Sequence, residues 1–110
     1  MVPVVHKIQN LYKEVYRIGG KIPKRDKLGI HAKVESVILE ILALVIAAAF
    51  TPREKKKPIL ESARVKTEVA KQLIRTEQEL HSITEVSYLA LEGQLQEISK
   101  EITKWSMSLP

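Results

Sequence analysis

The sequence contains no cysteine, which excludes disulfides and thiol catalysis and suits a cytoplasmic protein. Aromatic residues are few: one Trp, one Phe and three Tyr. Four Gly and five Pro are also few beside the abundant Glu, Lys, Ala, Leu and Ile, a balance that describes helices and not strands. The opening MVPVVHKIQN has no basic region ahead of an apolar core and no small-residue cleavage site, so no signal peptide is expected. A membrane-spanning run is missing too. The most apolar stretch, Val37 to Phe50, has thirteen apolar residues in fourteen and Glu40 as its only charge. Crossing a bilayer takes roughly 18 to 20 such residues, and charged Lys33, Glu35, Arg53 and Lys55 crowd both ends.

Catalytic signatures are absent as well. There is no Gly-rich phosphate loop, no GxSxG, no HExxH, and no Glu-x-x-His placing Glu77 or Glu85 beside His81. Nothing assembles a nucleophile, a base and oxyanion donors, so the expectation is a protein without enzymatic activity, metal or cofactor. Glu40 is the best candidate for a buried acid, with a cation such as Arg75 as its expected partner.

What remains is a chain of 110 residues, expected to be a single domain over 1–110. A helix apolar on nearly all sides needs several covering neighbours, and the periodicity supplies them. A first helix over 3–18 carries Ile8, Leu11, Tyr12, Val15 and Ile18 at three- and four-residue steps and is closed by Gly19 and Gly20. A second is expected over 27–50, with Asp26 as its N-cap and Gly29 too early to do much harm. Pro58 would break a helix begun at Pro52, so residues 51–57 read as a connection holding at most one turn. The third helix is then placed at 58–80, with a narrow stripe of mostly small residues near one face through Ile59, Ala63, Thr67, Ala70, Leu73, Ile74, Glu77 and Leu80.

Ser82 with Glu85 reads as a capping box, putting a break near His81 and a fourth helix over 83–105. There Tyr88, Leu91, Leu95, Ile98, Ile102 and Trp105 form a heptad-like seam. The expected architecture is all-α, an antiparallel up-down-up-down four-helix bundle. Short connections would then bring residues 19–26 and the break near His81 to one end, and residues 51–57 and both termini to the other.

Lys and Arg outnumber Asp and Glu by 18 to 13, for a net charge of +5, which favours an anionic partner. Eight cations fall in the two connections: Lys21, Lys24, Arg25 and Lys27 in one, Arg53, Lys55, Lys56 and Lys57 in the other. Glu77, Glu79 and Glu85 are placed to neutralise the first. On the third helix Lys57, Arg64, Lys71 and Arg75 form a stripe, but Glu61 and Glu68 fall between them at salt-bridging distance, the pattern of a solvated face. Arg75, beside Leu73 and Ile74, is better suited to reaching a neighbouring subunit. The second helix is apolar over more of its surface than one small bundle covers, which points to a homo-oligomer.

The run IPKRDKLGIHAKVESVILEILALVIAAAF, a Lys-rich connection, and then LESARVKTEVAKQLIRTEQELHSITEVSYLALEGQLQEISKEITKW resemble the Avd family, the accessory variability determinant of diversity-generating retroelements. Four-helix proteins encoded in bacterial ribosomal RNA intervening sequences are related. The similarity covers residues 8–106, in the order Ile22-Pro23, Leu73-Ile74-Arg75, Tyr88 and Trp105. It implies a basic, barrel-like homopentamer that binds nucleic acid (RNA, DNA or their hybrid) and acts with a reverse transcriptase in mutagenic copying of template RNA. The polymerase would supply the chemistry. On this reading Arg53, Lys55, Lys56 and Lys57 are the primary nucleic-acid contacts, with Lys24, Arg25, Arg64, Lys71 and Arg75 secondary. The alternative is a scaffold whose basic surface meets an acidic protein, without specific nucleic-acid binding.

Overall fold

A computed structural model describes residues 3–110 and is all-helical over that range. The helices are α1 (Pro3–Gly19), α2 (Lys24–Leu28), α3 (Ile30–Ala49), α4 (Lys56–Glu79) and α5 (Glu85–Met107), with a 3-10 turn at Arg53–Lys55 before α4. The four long helices pack around a ring: α3 lies against α1 and α4, and α5 against α4 and α1. The result is a rod of 45 × 20 × 20 Å. Two tertiary bonds fix its ends. Ser82 donates to Asp26 at 2.8 Å, and Arg53 donates to the Ser108 carbonyl at 3.2 Å.

The core is one continuous cluster that takes a stripe from every long helix. Ile8, Leu11 and Val15 come from α1, Val34, Ile38, Ile41 and Val45 from α3, and Leu91, Leu95, Ile98 and Ile102 from α5, all at three- and four-residue steps. On α4 the buried positions are Leu60, Ala63, Thr67, Ala70, Ile74 and Glu77, three of them small. The buried Thr67 hydroxyl is satisfied by donating to the Ala63 carbonyl at 2.8 Å. Tyr88 and Trp105 are half-buried against the same core, as the seam implied.

The expected second helix is in fact two. Gly29, at φ −98 and ψ −110, leaves helical geometry, and its N–H closes α2 by donating to the Arg25 and Asp26 carbonyls. A Cβ there would stand 3.0 Å from the Arg25 carbonyl oxygen, so this close approach needs glycine. Asp26 is therefore no N-cap; it lies inside α2 and holds Ser82. Ser82, in turn, caps nothing. Thr84 is the N-cap of α5, accepting from the Ser87 N–H at 3.0 Å.

The break before α5 is a Schellman turn. His81 takes φ +60, its N–H donates to the Gln78 carbonyl, and the Ser82 N–H donates to the Glu77 carbonyl at 2.9 Å. At the other end α4 begins two residues before the expected Pro58, which sits in the first turn where no N–H is required.

Candidate nucleic-acid interface

The basic connections stand at opposite ends of the rod. At one end, Lys24, Arg25 and Lys27 project from α2, no residue of which is buried, and Lys21 precedes them, also exposed. The expected neutralising acids do not reach them: among the described residues no ion pair joins this cluster to Glu77, Glu79 or Glu85. Glu77 is instead fully buried.

At the other end the four expected contacts divide. Lys56 turns inward, donating to the Ala48 carbonyl at 2.6 Å, with its ammonium 5.7 Å from the Trp105 ring centroid. It closes the carbonyl end of α3 and covers the Trp105 face, which is structural work. Arg53 is exposed but tied to Ser108. Lys55 and Lys57 are exposed and form no ion pair among the described residues. Of the four expected contacts at this end, they are the two left free among the described residues. Nearby, Lys7 is paired with Glu101 at 3.2 Å.

Along α4 the acid partners expected from spacing are engaged. Arg64 binds Glu61, with Nη2 2.6 Å from Oε1, and Lys71 lies 3.3 Å from Glu68. The Arg64 hydrogen bond and charge hold the Glu61 carboxyl below its usual range. Arg75 is exposed and unpaired among the described residues. Its charge acts on Tyr88, whose phenol donates to Glu92; that hydrogen bond, with burial, pushes the phenol up while Arg75 opposes it. Residues 57 to 75 of α4 span about 27 Å at 1.5 Å per residue. The stripe therefore links the end bearing Lys57 to the end near α2.

Glu40 is not a buried acid. It is 40% exposed and pairs with Lys66, not Arg75, at 2.8 Å. The Lys66 hydrogen bond holds its carboxyl low. Position 40 lies on the flank of α3 that faces α4, where a lysine can reach across from solvent.

The buried ionisable pair is elsewhere, and it escaped the sequence reading. His31 on α3 and Glu77 on α4 are both fully buried, with Nδ1 2.7 Å from Oε2. The other ring nitrogen donates to the Val15 carbonyl of α1 at 2.8 Å. Burial opposes charge on the ring, but the Glu77 bond, the Val15 carbonyl and the Glu77 and Glu35 charges outweigh it, holding the imidazole above its ordinary range. A signal existed in the sequence. His31 continues the 34, 38, 41, 45 stripe at a three-residue step, and Glu77 lies on the stripe of α4 three residues after Ile74.

No helix among the described residues is long and apolar enough to cross a membrane. No curated protein matches the chain. A family model does match, over residues 2–109. That span takes in all five helices and both basic connections, so the chain belongs to the bAvd-like family.

Proposed function

We propose that this protein is a non-catalytic accessory factor of a diversity-generating retroelement, binding nucleic acid for a reverse transcriptase that copies template RNA into cDNA. The family match over nearly the whole chain carries this reading, since bAvd-like membership points to an accessory role in such elements. The charge distribution supports the nucleic-acid part. Lys55 and Lys57 at one end, Lys24, Arg25 and Lys27 at the other, and Arg75 between them are exposed without acid partners among the described residues. Cations free to displace condensed counterions are what phosphate binding requires. Arg64 and Lys71, already paired, contribute less, and Arg53 and Lys56 serve mainly to hold the connection.

The working form is a cytoplasmic homo-oligomer, a pentamer by resemblance to the Avd family. Its motive on this chain is the outer face of α3, where Leu39 is 44% exposed and Phe50, just past the helix, is 83% exposed. Such apolar exposure suits burial against another subunit. The test is the double reversal Lys55→Glu, Lys57→Glu. Binding of labelled RNA, DNA and hybrid should weaken and its salt dependence flatten. Unchanged binding would remove this end from the interface, and absence of binding in the parent protein would favour a scaffold for an acidic protein partner.

A further inference from the structure

The His31–Glu77 pair does more than fill the core, because its place in the chain connects it to α2. The lobe formed by α2 buries none of its own residues. Beyond the covalent link at its start to the buried Ile22, two attachments hold it. One is Gly29, which leads directly into α3, and His31 is two residues further on. The other is the Asp26–Ser82 hydrogen bond, and the Ser82 N–H is bonded to the Glu77 carbonyl at 2.9 Å. Both attachments therefore run through the two residues that the buried pair joins.

The pair depends on one proton. The Val15 carbonyl can only accept, so Nε2 carries a hydrogen. The 2.7 Å contact between Nδ1 and Glu77 Oε2 needs a second, shared between ring and carboxylate. If that proton leaves, two lone pairs face each other and a carboxylate is left buried, with Oε1 already lacking a partner among the described residues. Breaking one side of a buried ion pair is costly, and the least costly relief is local opening. The groups facing the ring are few: Glu77 from α4, Glu35 from α3 with Oε2 3.8 Å from Nε2, and from α1 the Val15 carbonyl and Gly19. The charges acting on it are those of Glu77 and Glu35, both acidic, and none comes from α2 or α5.

We propose that His31 and Glu77 form a proton-held latch, which pins the start of α3 to the ends of α1 and α4 and releases the α2 lobe, with Lys24, Arg25 and Lys27, when the shared proton is lost. The latch sets how those three cations are presented, and it stands whether or not they meet nucleic acid.

Two measurements on the full chain test it. In wild-type protein labelled with nitrogen-15 at histidine, His31 should be protonated on both nitrogens at neutral pH and should lose a proton only above the ordinary imidazole range. Trypsin cleavage after Lys24, Arg25 and Lys27, normalised to a reference peptide, should then rise on the order of tenfold through the His31 titration, as expected for local opening. Cleavage after Lys66 should stay constant. In Glu77→Gln the amide can donate to Nδ1 of the neutral ring, so the pair no longer needs the shared proton and the α2 cleavage should stay slow and flat with pH. A singly protonated His31 at neutral pH would overturn the proposal in the wild type alone, whatever the variant does. So would α2 cleavage that ignores the His31 titration, or an equal rise at Lys66, which would mean global unfolding.

Discussion

Lys56 caps the carbonyl end of α3 and lies against Trp105, its ammonium 5.7 Å from the ring centroid. A residue that looks like one of four equivalent cations in the sequence is thus part of the packing. Lys56→Ala should destabilise the bundle by about 1 to 2 kcal/mol, from a charged hydrogen bond and a half-exposed cation–π contact. Chemical denaturation measures this. The same substitution should cost less nucleic-acid affinity than Lys55→Ala or Lys57→Ala, a ranking that a formal count of charges would not give.

Gly19 is packed directly under His31. A Cβ at this position would stand 3.1 Å from both Cδ2 and Nε2 of the ring. The ring is held on both sides by hydrogen bonds, so it cannot swing aside cheaply. Gly19→Ala would gain at most about 1 kcal/mol of helix propensity, less at a helix end. Against that, overpacking costs about 1 to 3 kcal/mol, so the net effect should be a loss of stability, read as a lower denaturation midpoint.

Stability should also depend on pH through His31. Its folded value is raised above that of the unfolded chain, so the stabilisation is complete below the ordinary imidazole range and disappears as pH climbs through the raised value. The unfolding free-energy difference between wild type and His31→Gln should therefore shrink with rising pH. Denaturation curves of both proteins over a pH series give this difference directly. A difference that grows with pH would contradict the assignment.

The apolar outer face of α3 makes a prediction about assembly. Leu39→Asp or Phe50→Asp changes positions that are substantially exposed on the bundle, so neither should cost the fold much. Either should lower the mass measured by light scattering if that face is buried between subunits. Mass unchanged in both would place the subunit contact elsewhere.

Much of this fold is legible in the sequence because four apolar stripes with a period near 3.6 leave few alternatives to a bundle. Gly19-Gly20 at the end of α1, Pro52 in the connection after α3 and Pro58 in the first turn of α4 mark its corners. What local rules misplace are the points where tertiary contacts decide. Asp26 and Ser82 each look like caps, yet they bind one another across the fold. Gly29 breaks a helix by leaving helical geometry while its N–H still closes α2 on the Arg25 and Asp26 carbonyls.

The candidate site is less legible. Eight loop cations look alike in one dimension, and only packing shows that Lys56 turns inward while Lys55 and Lys57 do not. Glu77 sits on an apolar stripe beside a cluster of lysines. Bundle topology brings it to the same end as the Lys21–Lys27 cluster, which suggests neutralisation, whereas its stripe position, matched by His31 on α3, is the better guide.

The most direct test of the account is the binding of labelled RNA, DNA and RNA–DNA hybrid across a salt series, with the oligomer mass determined in the same buffers. The account predicts tight binding by a multi-subunit species that weakens steeply with salt, in proportion to the phosphates neutralised. A folded protein that stays monomeric and binds none of the three even at low salt would contradict it.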